Sequence, residues 1–231
     1  MIYSNEIPGQ FDHSDFVVIQ LLSKLIPKNA NIVEYGAHFG RATVAWLDNI
    51  DPSVTLTSID HWSYTELDQR HYYYKGFDLD KLPYSIDECL DDRYKIFLNF
   101  TKKYLNSKSI KTHFPPNDNA IFEKLNQLDL IFIDGNHEYE SIKFDCEFWY
   151  PRLKKDTGII CGHDYKLKYD GLVKFVDEFS SKHNKKILTN IVDTSSIWIM
   201  FNDEKDYFKL IEDCKDIPSK IKSNSRWYDF T

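Results

Sequence analysis

No run of about 18 consecutive apolar residues occurs in the chain, so a membrane-spanning helix is not expected. The opening stretch, MIYSNEIPGQFDHSD, has neither a basic region nor an apolar core, so export by a standard signal is not expected and the cytoplasm is the expected location. Positive charge is in deficit: 29 Lys and Arg stand against 36 Asp and Glu, for a net charge of -7. Neutralising phosphates needs a basic face, so neither nucleic acid nor a membrane surface is the expected partner. The four cysteines, Cys89, Cys146, Cys161 and Cys214, have no CxxC or other metal spacing, and Cys146 and Cys161 fall in apolar patterns typical of a core. Internal repeats and low-complexity segments are also lacking.

Apolar residues, by contrast, make up 42% of the chain and aromatics 16%, enough for a full core and a ring-lined pocket. The 231 residues suit one α/β domain, with a helical extension over 1–30 and a charged tail over 203–231. Val18, Leu21, Leu22 and Leu25 repeat at helical spacing, predicting a helix over 14–26 capped by Asp12 or Ser14 and stopped at Pro27. Strands are expected at 31–36 (NIVEYG), 55–60 (TLTSID), 110–114 (IKTHF), 128–134 (LDLIFID) and 157–162. Helices are expected between them at about 41–49, 86–106, 119–125 and 138–149, and a further one at 170–183.

ILTNIV and SSIWIMF then follow with only Asp193 and Thr194 between them, a connection short enough to require an antiparallel hairpin. This alternation predicts a mostly parallel, doubly wound sheet with helices on both faces. Residues 61–85 break the rhythm with a Tyr-rich stretch that is either a substrate lid or a packed surface insertion.

Chemistry-bearing residues gather at the carboxyl ends of the predicted strands, where open α/β sheets bind ligands. Glu34-Tyr35-Gly36-Ala37-His38-Phe39-Gly40 closes the first strand with an acid and two glycines. It is not GxGxxG, so a ligand without a cradled pyrophosphate is favoured. Asp60 ends the second strand, where a carboxylate can accept both hydroxyls of a ribose. Glu34 alone is equally a buried sheet residue, but together with Asp60 it favours an adenosine-type cofactor. His38 and His61 border the same end, and Trp62 is either a stacking surface for adenine or core.

VEYGAHFGRAT, LTSIDHW, LDLIFIDGNHEYESIKFDCEFWYPRLKKDTGIICGHDY and SSIWIMF together resemble, in order and spacing, the class I S-adenosylmethionine-dependent methyltransferases. The nearest group is that of macrocin-type sugar O-methyltransferases and cephalosporin-hydroxylase-like proteins. The resemblance spans about 31–201 and implies a Rossmann-like sheet of seven strands whose last is antiparallel. It implies S-adenosylmethionine as cofactor, with Glu34, Gly36 and Gly40 at its methionine end, Asp60 at the ribose and Asp118 with Asn119 at the adenine edge.

Methyl transfer to a hydroxyl needs a base or a metal to take up the proton or its charge. His137, three positions after Asp134, is the candidate base; its other role would be to cap the following helix. Asp134, His163 and Asp164 form a candidate metal set. Relatives that use a metal carry an acid where this chain has His163, so the set suits Mg²⁺ less than Mn²⁺, Fe²⁺ or Zn²⁺, or marks a site that uses no metal.

The expected activity is O-methylation of a small-molecule acceptor, a sugar or glycan precursor. A metal-dependent hydroxylase-like oxidase and a non-catalytic cofactor-binding module are the alternatives. The sequence leaves a homo-oligomer open.

Overall fold

The computed structural model describes residues 7, 9, 11–63, 93–112, 122–166, 168–192 and 194–215. In chain order come helix α1 (His13–Ser23), strand β1 (Asn31–Tyr35), α2 (Arg41–Leu47), β2 (Thr55–Asp60), α3 (Arg93–Thr101) and β3 (Ser107–Lys111). They are followed by β4 (Leu130–Ile133), α4 (Tyr139–Trp149), β5 (Ile159–Gly162), α5 (Asp170–His183), β6 (Ile187–Leu188), β7 (Trp198–Phe201) and α6 (Glu204–Lys215). The strands form one seven-stranded sheet in the order β3-β2-β1-β4-β5-β7-β6. All neighbouring pairs are parallel except those that involve β7.

Strand alternation sorts the core into two layers. Ile32, Leu56, Leu130, Phe132, Ile159 and Cys161 face α1, α2 and α6, whereas Val33, Ile59, Ile131, Ile133 and Ile160 face α4 and α5. Trp46 fills the first layer and Trp149 the second, both fully buried. Helix α1 begins with a reciprocal cap: Asp15 N donates to Asp12 Oδ1 at 3.1 Å, and Asp12 N donates to Asp15 Oδ2 at 3.0 Å. The predicted core cysteines, Cys146 and Cys161, are buried and free.

Three local expectations shift. The edge strand forms at Ser107–Lys111 rather than 110–114, because its register is set by parallel pairing with Leu56–Asp60 of β2 and not by its own weak pattern. The antiparallel hairpin is present, but β6 is only Ile187–Leu188, paired with Met200 and Ile199. Asn190 and Thr194 take positive φ, and the paired residues Leu188 and Ile199 are too far apart in sequence for a two-residue turn. The expected helix at 119–125 is not seen over its described part, where residues 122–124 form a turn. Most of the candidate lid, residues 64–85, lies outside the described residues, as do 216–231 of the tail.

The sheet runs outward through β2 and β3 on one side of β1 and through β4 and β5 on the other, so the strand order reverses between β1 and β4. That reversal opens a crevice at the strands' carboxyl ends. There the backbones pass very close: a Cβ built on Gly36, whose φ is +92°, would lie 2.0 Å from the carbonyl oxygen of Asp134. Gly36→Ala is therefore expected to cost at least about 2 kcal/mol, from a strained φ plus a backbone collision. Chemical denaturation would check this, and an unchanged midpoint would contradict it.

Candidate active site

Each group at the crevice is placed by the parity of its strand. Asp60, the last residue of β2, continues the Leu56 and Ser58 face, and its carboxylate ties two loops together. Oδ2 accepts the His38 N–H at 2.8 Å and Oδ1 accepts the Trp62 N–H at 2.8 Å. Each oxygen keeps a further lone pair for a ligand. His38 is half-buried with φ of +48°, and His61 sits beside Asp60 with its Nδ1 3.9 Å from Oδ1. Gly40, φ +91°, is the N-cap of α2, and its missing Cβ makes room for Phe97 at 3.0 Å.

Two residues expected at the cofactor make contacts within the protein. Glu34 follows Ile32 on the face toward α2 and is fully buried; its Oε2 accepts hydrogen bonds from Thr43 on α2 and, at 2.8 Å, from Ser58, its register neighbour on β2. It braces β1 against α2, and its Oε1, also buried, has no hydrogen-bond partner among the described residues. Trp62 turns inward as well: it packs on Tyr94 and Phe97, each with ring centroids 4.7 Å away, and its Nε1 donates to the His38 carbonyl. Asp118 and Asn119 lie outside the described residues.

On the other side of the crevice, Asp134 extends β4 and Asp164 follows β5 with φ of +64°, a conformation Asp tolerates better than most residues. His137 Nε2 lies 2.8 Å from Asp164 Oδ2, and its ring stacks on Tyr169 at 4.2 Å between centroids. Asp134, His137 and Asp164 bring one potential ligand atom each within 4.8 Å of one another.

The cluster carries His137 where the expected metal set has His163. His163 continues the Ile159 and Cys161 face of β5 toward α1, where its Nε2 meets Asp15 Oδ2 at 3.0 Å under the ring of Phe11. Its Nδ1 stands 3.6 Å from Asp134 and 3.5 Å from Asp164, so both ring nitrogens face carboxylates.

The electrostatics follow from this packing. Burial alone would discharge His163, but the carboxylates of Asp15, Asp134 and Asp164 outweigh it and hold its pKa well above the usual range. Burial would likewise raise Asp164, yet His163 and the hydrogen bond from His137 keep it far below the ordinary carboxylate range. Asp15, on α1, and Asp145, on α4, were not singled out from the sequence. Asp15 continues the buried stripe of Val18 and Leu22 backward by one turn, a pattern in which an acid is out of place. Asp145 is pushed up to about 7 by burial, and its Oδ2 lies where a Cβ on Gly135 would be 3.4 Å away.

A sheet of this order, with the seventh strand alone reversed, is that of a class I S-adenosylmethionine-dependent methyltransferase. The profile of the family described as "Methyltransferase domain" matches residues 33–165, and the chain belongs to that family. No curated protein matches the chain.

Among solved structures, the fold is similar to that of the O-methyltransferase NovP, with a TM-score of 0.56 and 17% identity over 82% of this chain and 80% of that one. It is also similar to CalS11, a TDP-rhamnose 3'-O-methyltransferase of calicheamicin biosynthesis: TM-score 0.55 and 12% identity over 81% of this chain and 78% of that one. A methyltransferase from Geobacter sulfurreducens gives a TM-score of 0.52 at 14% identity, over 82% and 78% of the two chains. Among the described residues no helix is long and apolar enough to cross a membrane.

Burial pushes the Glu34 carboxyl from 4.5 up to about 8, against the hydrogen bonds from Thr43 and Ser58. The folded protein thus keeps a proton that the unfolded chain releases, and this contribution to stability, complete below the unfolded value, is lost as pH rises through about 8. Glu34→Gln should flatten the decline of Tm between about pH 5 and 8. Parallel melting profiles for the two proteins would contradict the buried, protonated state.

Proposed function

We propose that the protein methylates a hydroxyl oxygen of a small-molecule acceptor, a sugar or glycan precursor, using S-adenosylmethionine. The observation that carries this reading is the meeting of Asp134, His137 and Asp164 at the crevice where the strand order reverses, beside the Gly36 turn. The cofactor side fits an adenosine ligand: Asp60 is half-buried with lone pairs left on both oxygens, and Gly36 and His38 are part-exposed next to it. S-adenosylmethionine, when bound, supplies a methyl group on a sulfonium, which an oxygen attacks in line.

Asp164 accepts from His137 Nε2, which fixes the ring's tautomer and leaves Nδ1 as the nitrogen able to take the acceptor's proton. Stacking on Tyr169 holds the plane of that ring. The resulting carboxylate-histidine pair is the arrangement that orients a general base in many hydrolases.

A second use of the same groups is favoured by their spacing and by their mix of two carboxylates with one imidazole. Asp134, Asp164 and His137 suit a divalent cation, with the imidazole favouring Mn²⁺, Fe²⁺ or Zn²⁺ over Mg²⁺. Such a cation would supply positive charge that makes a neighbouring hydroxyl more acidic. A hydroxyl acceptor agrees with the name of NovP, an O-methyltransferase, and a sugar acceptor with that of CalS11, a TDP-rhamnose 3'-O-methyltransferase.

Calorimetry should detect binding of S-adenosylmethionine and S-adenosylhomocysteine, and Asp60→Ala should reduce that affinity at least about tenfold, on the scale of a lost charge-assisted hydrogen bond pair. A folded sample that binds neither ligand would refute the cofactor reading. With labelled S-adenosylmethionine and a panel of hydroxylated acceptors, His137→Ala should lower turnover by about 100-fold or more while leaving cofactor affinity near that of the parent. If the two fall together, His137 is not the base. Rescue of activity by Mn²⁺ after chelation separates the cation use from the base use.

A further inference from the structure

We propose that Asp15, on the N-terminal helix, is a positioning residue for the acceptor side of the crevice and acts through His163. The two oxygens of its carboxylate have separate partners. Oδ1 accepts from Ser195 Oγ at 2.9 Å and from Ser196 N at 3.1 Å, which fastens α1 to the segment leading into β7. Oδ2 accepts from Asp12 N at 3.0 Å and takes His163 Nε2 at 3.0 Å. Both residues are deeply buried, Asp15 at 1% and His163 at 3% exposure, so water cannot replace either partner.

An imidazole is rigid, and holding one nitrogen fixes where the other points. With Nε2 on Asp15 and one face covered by Phe11, Nδ1 is aimed between Asp134, 3.6 Å away, and Asp164, 3.5 Å away. Asp164 in turn holds His137 at 2.8 Å. A continuous line of polar contacts therefore runs from α1 to the ring assigned as base. Two carboxylates that end neighbouring strands repel each other, and a donor set between them keeps both turned toward the crevice. Asp15 touches neither the crevice nor its ligands; its effect passes through one ring. This inference rests on the reading of Asp134, His137 and Asp164 as the acceptor-side groups.

The full-length chain, labelled with ¹⁵N, would be followed by long-range proton-nitrogen correlation of its histidine rings at neutral pH. In Asp15→Asn the ring nitrogens of both His163 and His137 should move by more than a linewidth. In Ser195→Ala, which loosens only the Oδ1 side, Tm should fall while both rings keep their shifts. A folded Asp15→Asn whose His137 signals stay in place overturns the proposal, as does Ser195→Ala moving them equally.

Should Asp15→Asn fail to fold, His163→Asn takes its place: a shift of His137 supports the line of contacts, and an unchanged His137 breaks it. S-adenosylmethionine titrated into the parent protein gives an independent reading. Its failure to bind counts against methyl transfer alone and leaves the ring measurement standing.

Discussion

The site depends on how closely β1 and β4 run past each other as they end. Gly36 N donates to the Ile59 carbonyl at 2.9 Å, Asp134 N donates to the Tyr35 carbonyl at 2.7 Å, and a side chain at position 36 would collide with that second strand's backbone. This crossing sets the glycine turn, and the turn presents the His38 N–H to Asp60. It also delivers Asp134 toward Asp164. The proposed cofactor and acceptor sides are thus two edges of one backbone contact.

Around that contact the chain handles its carboxylates in three ways. Glu34 is buried without a counter-charge and is kept protonated, so it acts as a neutral brace. Asp60 is satisfied by backbone N–H groups and stays open to a ligand. Asp15, Asp134 and Asp164 surround one imidazole, which balances charges that would otherwise repel in a dry space. Similar acids at similar strand ends take on different chemistry because burial and partners differ, not because of residue type.

The architecture was legible because strand periodicity and helix spacing are local signals that the tertiary structure reinforces. The second strand, Thr55–Asp60, and the helix at 170–183 match their sequence limits for that reason. The edge strand and the hairpin were less legible, since pairing with a neighbour decides where a weak strand begins.

At the site, His163 and Asp164 read naturally as a pair in sequence. In space, β5 parity sends the first toward α1, and a left-handed residue swings the second toward His137. The same parity puts Glu34 with Ile32 on the face toward α2, a consequence visible in the sequence once the apolar face is assigned. Asp15 carried a signal too, as an acid on an apolar helical stripe. Its pairing with His163, 148 positions away, left no such signal.

The pairing of Asp15 with His163 also constrains how the chain can evolve. Replacing His163 by an acid would leave two carboxylates facing each other in a nearly water-free pocket, with Asp134 and Asp164 adding their own charge. Such a change is tolerable only if position 15 loses its acid as well. The N-terminal helix and the fifth strand are therefore expected to change in concert.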